Sequence, residues 1–313
     1  MRAVPAPSRL KSHHGLPTRN GVGPSCVGLP AGQWPTITDF LVERFPAISR
    51  DVWLARIADR LVADEFGELV TPHRPYPKHL RIYYYRDVPI EPHIPFTENV
   101  LYQDSHLVVA DKPHFLPVTP SGHYLQETLL VRLKKRLGLD TLIPIHRIDR
   151  ETAGLVLFSV QPSERNAYQA LFRRHAVTKY YEAIAPWRSD LPLLLPWPLI
   201  RQSRIVEDDI FFRQREVEGV PNSKTQVDVV AVNGPLAKYA LSPVTGKKHQ
   251  LRVHMNALGL PILNDRIYPP VANTPDDNYA TPLQLLAKSI AFTDPVTGQT
   301  RFFESQLSLD WPR

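Results

Sequence analysis

Residues 145–160 read Ile145-His146-Arg147-Ile148-Asp149-Arg150-Glu151-Thr152-Ala153-Gly154-Leu155-Val156-Leu157-Phe158-Ser159-Val160. The second half is a short apolar run, β-branched in part and bounded by Gly154 and Pro162, the pattern of a strand in a core. The first half is polar and sets one carboxylate, Asp149, between Arg147 and Arg150 on the loop that enters that strand. Such an acid on a surface is ordinarily a solvated ion pair of little energetic value. Half-buried at the end of a sheet, with a guanidinium to favour its charged form, it is a group available for chemistry.

Working outward, short apolar runs predict strands over 107–110, 154–160, 178–184, 225–232, 237–243 and 287–292. Helical spacing predicts helices over 124–137, 163–175 and 248–258, the last stopped by Gly259 and Pro261. Strands that succeed one another without regular alternation with helices indicate an α+β fold. Upstream, Thr36 and Asp39 form a capping pair ahead of the stripe Ile37, Phe40, Leu41 and Phe45. A second stripe, Trp53, Leu54, Ile57 and Leu61, follows Ser49, and 80–85 reads as a strand, so residues 36–88 make a small α/β module. Pro89, Pro92 and Pro95 mark a linker over 89–95, with the larger domain over 96–313. Residues 1–35 carry Arg2, Arg9, Lys11 and Arg19, no acid, and many prolines and glycines, which reads as a disordered basic arm. The proline-rich piece from Pro186 to Pro198 reads as an insertion whose Trp187 and Trp197 are expected to pack.

Composition bounds the function. A 313-residue chain with 43% hydrophobic residues can bury one sizeable core plus a small appended module. Thirty-seven basic against 31 acidic residues give a net charge of +6, which suits a polyanionic partner such as nucleic acid. Cys26 is the only cysteine, which excludes an intramolecular disulfide, a thiolate zinc cage and a cysteine-held iron–sulfur cluster, and fits a reducing cytoplasm. No apolar run is long enough to cross a bilayer; the stretch from Leu191 to Ile200 is broken by Pro192, Pro196 and Pro198. His249 and His254, five apart, fall on different faces of a helix, and no His-Glu-x-x-His run exists. Gly246-Lys247-Lys248 lacks the leading glycine and the following Ser or Thr of a phosphate loop.

The stretch at 146–155 is one of five ordered blocks. The others are Val108-Val109-Ala110-Asp111-Lys112-Pro113; Lys179-Tyr180-Tyr181-Glu182-Ala183; Thr245-Gly246-Lys247-Lys248-His249-Gln250-Leu251-Arg252-Val253-His254, followed by 259–265; and Leu283-Gln284-Leu285-Leu286-Ala287, followed by Phe292 and 294–298. Together they resemble the signature segments of the RluA family of pseudouridine synthases, with Ile148, Ala153, Lys247, Asn264 and Leu286 as departures. The resemblance implies a pseudouridine synthase catalytic fold, α+β, with a mostly antiparallel bent sheet, flanking helices and an active cleft across its middle. It implies isomerisation of uridine to pseudouridine in ribosomal or transfer RNA, without cofactor or metal, on a nucleotide flipped out of a stem-loop.

Carried onto this sequence, the family pattern makes Asp149 the catalytic carboxylate and Arg252 its guanidinium partner. Tyr181 would stack on the uracil and help remove the proton at carbon 5. Leu251 would wall the base, and Arg147 would fill the space the flipped base leaves. Lys112, Lys247, Lys248, the basic face of Arg132, Lys134, Lys135 and Arg136, and Arg173, Arg174 and His175 are candidates for phosphate contact. The module at 36–88 has a weaker likeness to the RNA-binding module named for ribosomal protein S-four: Ser49-Arg50 stands at its Ser-Arg pair and Asp59-Arg60 replaces its glycine. RNA binding and a structural role both fit that module. No membrane and no obligatory protein partner is implied. The alternative function is a non-catalytic RNA-binding or RNA-chaperone protein that keeps the fold.

Overall fold

The computed structural model describes residues 17–86, 88, 91–187, 197–210, 212–269 and 278–311. Two compact units divide the chain, Met1–Glu91 and Pro92–Arg313. In the first, a three-stranded antiparallel sheet of β1 (Ser25–Gly28), β2 (Val62–Asp64) and β3 (Arg81–Tyr84) runs in the order β1-β3-β2. Helix α1 (Ile37–Arg44) begins with a reciprocal cap: the Thr36 hydroxyl accepts from the Asp39 N–H, and the Asp39 carboxylate accepts from the Thr36 N–H, each at 3.1 Å. Ser49 caps α2 (Arg50–Ala58), and Arg60 takes φ 58, the left-handed conformation for which a glycine would be the easier choice. Leu29, Ile37, Leu41, Trp53, Ile57 and Ile82 form the core.

This corrects the reading of 1–35 as a disordered arm. Ser25–Gly28 pairs with Arg81–Tyr84, and Leu29 is buried. Proline and glycine density hid a four-residue strand whose backbone groups are satisfied by one edge of β3. Residues 1–16 of that stretch lie outside the described residues.

The second unit holds β4 (Asn99–Gln103), β5 (Leu107–Lys112), α3 (Leu129–Leu137), β6 (Ile143–Pro144), β7 (Ala153–Ser159), α4 (Arg165–Arg173), β8 (Thr178–Pro186), β9 (Leu199–Glu207), β10 (Gln214–Val217), β11 (Ser223–Asn233), β12 (Leu236–Pro243), α5 (Gln250–Ala257), β13 (Leu285–Thr293) and β14 (Thr300–Glu304). Among the described residues its eleven strands form one sheet, in the order β10-β9-β11-β12-β8-β13-β7-β5-β4, with β14 on β13 and β6 on β7. Every pairing is antiparallel except β13 with β7. Helices cover both faces where the strands are wholly apolar. Val156 and Phe158 of β7 join Leu129 and Leu133 of α3 on one side, while Leu155 and Leu157 join Tyr168 of α4 on the other, the period of two expected of a central strand. Trp187 and Trp197 pack against the core under α5, as expected of proline-flanked tryptophans; residues 188–196 between them lie outside the described residues.

The centre of the sheet is a seam. Ala287 of β13 pairs with Tyr181 of β8 on one side and with Gly154 of β7 on the other, and the β8 register shifts between Ala287 and Ser289. Gly154 sits at φ 107, and a Cβ there would lie 2.3 Å from the Ala287 carbonyl oxygen. Only glycine lets the two backbones approach so closely. The seam therefore brings the loop ahead of β7 beside Tyr181.

Helix α3 starts at Leu129 rather than near Tyr124. Thr128 caps it, and the preceding backbone turns so that Leu129 and Leu130 donate to Pro117 and Val118. In this unit strands β4, β6, β9, β10 and β14 fall outside the strands the sequence predicts. β9 alternates half-buried and exposed residues rich in polar side chains, so it carries little apolar signal.

Candidate active site

A cleft of about 930 Å³ opens over the seam, walled by the 145–152 loop, Lys179 and Tyr181 of β8, the turn at 243–248 and the start of α5. Among the described residues Asp149 is the only acid that lines it; the lining cations among them are Arg147, Arg150, Arg173, Lys179, Lys247, Lys248 and Arg252. A cleft with this excess of positive charge suits a polyanion.

Arg252 and Asp149 meet as expected. Arg252 Nη1 stands 3.3 Å from Asp149 Oδ2. The remaining guanidinium edge is held by Asp265, which accepts from Nε at 2.7 Å and from Nη2 at 2.6 Å, and Glu151 accepts from Nη2 at 3.0 Å. Burial by itself pulls the Arg252 pKa down, but the hydrogen bonds and charge of Asp265, with Asp149 and Glu151, outweigh it and raise it. Glu151 is pushed up, first by burial, and stays close to its two cations, Arg252 and Arg266. The other oxygen of Asp149 faces His249: Nε2 lies 3.8 Å from Oδ1. Neither Asp265, Glu151 nor His249 was assigned a role from the sequence.

Helix α5 carries Leu251 and Arg252 into the cleft because the residues around them are pinned. Gln250 donates to Thr225 Oγ1 and the Lys224 carbonyl, and its amide oxygen accepts from the Thr245 hydroxyl and the Lys247 N–H. His254 spans Thr225 and Ser223 at 2.9 and 3.0 Å, and burial holds its pKa down at about 4, so it packs as a neutral ring.

Tyr181 lines the cleft, and its hydroxyl has no hydrogen-bond partner among the described residues. Burial, then the negative charge of Asp149, raises its pKa, so the phenol is protonated at neutral pH. Lys179, two residues earlier on the same face of β8, donates to the Thr245 carbonyl at 2.9 Å, and burial lowers its pKa to about 8. Arg147 is exposed on the cleft wall, with no hydrogen bond or ion pair among the described residues. Lys247 and Lys248 line the rim, as do Arg173 and His175; Arg174 is exposed outside the cleft lining.

Two phosphate-contact expectations are corrected. Lys112 is fully buried and donates to the carbonyls of Pro113 and Arg150, both at 2.9 Å, which ties β5 to the Asp149 loop. Burial lowers its pKa to about 7, opposed by Asp149. Arg132 is likewise committed, donating to the carbonyls of Ile94 and Phe96 and pairing with Glu98 and Glu127. Arg136 also pairs with Glu98, while Lys135 stays exposed on α3.

Asn264, at a position where the resembled pattern has glycine, takes φ 63, a left-handed conformation that asparagine tolerates better than most residues.

Among the described residues no helix is long and apolar enough to cross a membrane. The RNA pseudouridylate synthase family matches residues 106–257, which spans β5 to α5 and includes Asp149, Glu151, Tyr181, His249 and Arg252, while Asp265 and Arg266 lie just beyond it. The chain is 30% identical over 231 residues to the dual-specificity RNA pseudouridine synthase RluA of Haemophilus influenzae, covering 70% of this chain and 95% of that protein. It is 30% identical over 173 residues to the mitochondrial tRNA pseudouridine(32) synthase of Saccharomyces cerevisiae, covering 54% of this chain and 36% of that protein. Among solved structures, human RNA pseudouridylate synthase domain containing 4 superposes with a TM-score of 0.52 at 26% identity, covering 67% of this chain and 88% of that one. With its mixed α+β architecture and its near full-length match to RluA, the chain belongs to the RluA family of RNA pseudouridine synthases.

Proposed function

We propose that this protein isomerises uridine to pseudouridine in a stem-loop of ribosomal or transfer RNA in the cytoplasm, with Asp149 as the reacting carboxylate. The observation that carries the reading is Asp149, the one acid lining the cleft among the described residues, hydrogen-bonded by a buried arginine and set beside an aromatic ring. The reaction breaks the bond from C1′ to N1, turns the base, joins C1′ to C5, removes the proton at C5 and leaves a proton on N1. A carboxylate serves by attacking C1′ or by taking the hydrogen at C2′, and Arg252 stabilises its charge in either role. Tyr181 offers its ring face to the uracil. Since its phenol is protonated, it accepts the C5 proton only by passing its own proton on. Leu251 gives the base an apolar wall. A uridine reaches this cleft only when unstacked, at a cost of a few kcal/mol that stacking and phosphate contacts offset. Arg147, exposed and without a partner among the described residues, is placed to fill the vacated stack, and Lys247 and Lys248 to hold phosphates.

The test is tritium release from cellular RNA labelled at C5 of uridine. Release with the wild-type protein supports the isomerase. Tight RNA binding without release would instead favour a binding or chaperone protein.

A further inference from the structure

His249 enters the cleft from the residue before α5, with its backbone in the left-handed region at φ 55. Its neighbours fix its tautomer. The Tyr268 hydroxyl accepts from the Gln214 N–H at 2.7 Å, and His249 Nδ1, 3.0 Å away, is the one acceptor within reach of its proton among the described residues, so the hydroxyl donates to Nδ1. A neutral imidazole that accepts at Nδ1 carries its proton on Nε2. Burial lowers the pKa of the ring, consistent with the neutral form. The Nε2–H faces Asp149 Oδ1 across 3.8 Å, too far for a hydrogen bond, while Oδ2 is engaged by Arg252.

A donor and an acceptor thus flank a gap on the cleft wall. One oxygen can sit about 2.8 Å from both, donating to the carboxylate and accepting from the imidazole. We infer that this gap reads a hydroxyl, and that the hydroxyl is the 2′-OH of the target ribose. The inference rests on the reaction proposed above. A carboxylate that works at C1′, or on the hydrogen at C2′, stands beside the carbon that bears the 2′-OH. It is also the one sugar hydroxyl left free inside an RNA strand, because the 3′ and 5′ oxygens are esterified. A deoxyribose leaves the N–H and the carboxylate oxygen facing an unfilled gap, which penalises it. His249 is therefore a specificity residue that distinguishes RNA from DNA at the target nucleotide itself.

The test uses a synthetic RNA stem-loop of a sequence that the wild-type protein modifies, and the same strand with 2′-deoxyuridine at the modified position. Wild type, His249→Ala and His249→Gln are compared under saturating conditions. Both replacements keep a side chain at the same left-handed residue, so backbone strain is common to them, and only glutamine returns an N–H donor. His249→Ala is expected to slow the ribose substrate about ten- to thirtyfold, the range for one lost hydrogen bond, and to leave the deoxyribose rate within about twofold. KM for RNA should stay within about threefold, because phosphate contacts set affinity. His249→Gln should recover most of the ribose preference. Equal slowing of both substrates by His249→Ala would overturn the 2′-OH assignment and leave the isomerase reading intact. A wild-type protein that makes no pseudouridine in any RNA would overturn both.

Discussion

Asp265 grips Arg252 by two hydrogen bonds of 2.7 and 2.6 Å, which turns the one remaining guanidinium nitrogen, Nη1, toward Asp149. The loop after α5 thereby aims the arginine, and the arginine holds the acid. Asp265→Asn keeps the shape but removes the charge that fixes the fork. Its kcat is expected to fall roughly a hundredfold, the effect of about an ångström of misplacement, with KM for RNA little changed. A loss confined to KM would show that Asp265 supports RNA contact instead.

Lys112 and the rim lysines separate by salt dependence. Lys247→Ala and Lys248→Ala should each weaken RNA binding irrespective of sequence and lower the slope of log K against log salt by about 0.7–0.9. Lys112→Met should leave that slope unchanged, because its ammonium is spent on two backbone carbonyls. It should instead destabilise the fold by about 2–4 kcal/mol, since both half-buried carbonyls lose their donor. A lowered salt slope in Lys112→Met would contradict this.

Acid should weaken the fold through its neutral imidazoles. Burial depresses the pKa of His254 to about 4, of His114 to about 4 and of His146 to about 3. A depressed folded-state pKa gives stability that is whole above the ordinary value of 6.5 and is lost as pH falls toward these lower values. Denaturant unfolding between pH 6.5 and about 5 should show His254 alone accounting for a loss of about 2 kcal/mol. His254→Gln should flatten the profile by that amount; an unchanged slope would count against a neutral His254.

Gly154→Ala should be among the most damaging small substitutions, because its Cβ would collide with the Ala287 backbone at the seam. Destabilisation above about 3 kcal/mol is expected by denaturant unfolding. Gly246→Ala is the matched control, its Cβ meeting only Lys179 Nζ at 4.0 Å.

Much of this was legible in the sequence. The strands at 107–112 and 153–159 announce themselves because both faces are covered, leaving apolar runs at 107–110 and 155–158. The trio Asp149, Tyr181 and Arg252 comes together where the motifs implied, and the Thr36–Asp39 cap forms as written. Other features were hidden for physical reasons. A lysine at the end of an apolar strand reads as surface, yet Lys112 is inside because two carbonyls satisfy it. In the sequence His249 reads as a residue on a helix face, but the helix begins at Gln250 and the left-handed backbone of His249 aims it elsewhere. Asp265 finds Arg252 only through the turn that follows α5, which no local spacing encodes. β9 and β10 are rich in polar side chains and depend on neighbouring strands for their backbone partners.

Whether the Asp149 carboxylate performs the isomerisation is decided by single-turnover tritium release from C5-labelled RNA. With RNA in the cleft, Asp149→Asn should release no tritium while binding RNA within about threefold of wild type, since the phosphate contacts are untouched. Release by Asp149→Asn within about tenfold of the wild-type rate, a difference of only about 1.4 kcal/mol in barrier, would contradict the claim.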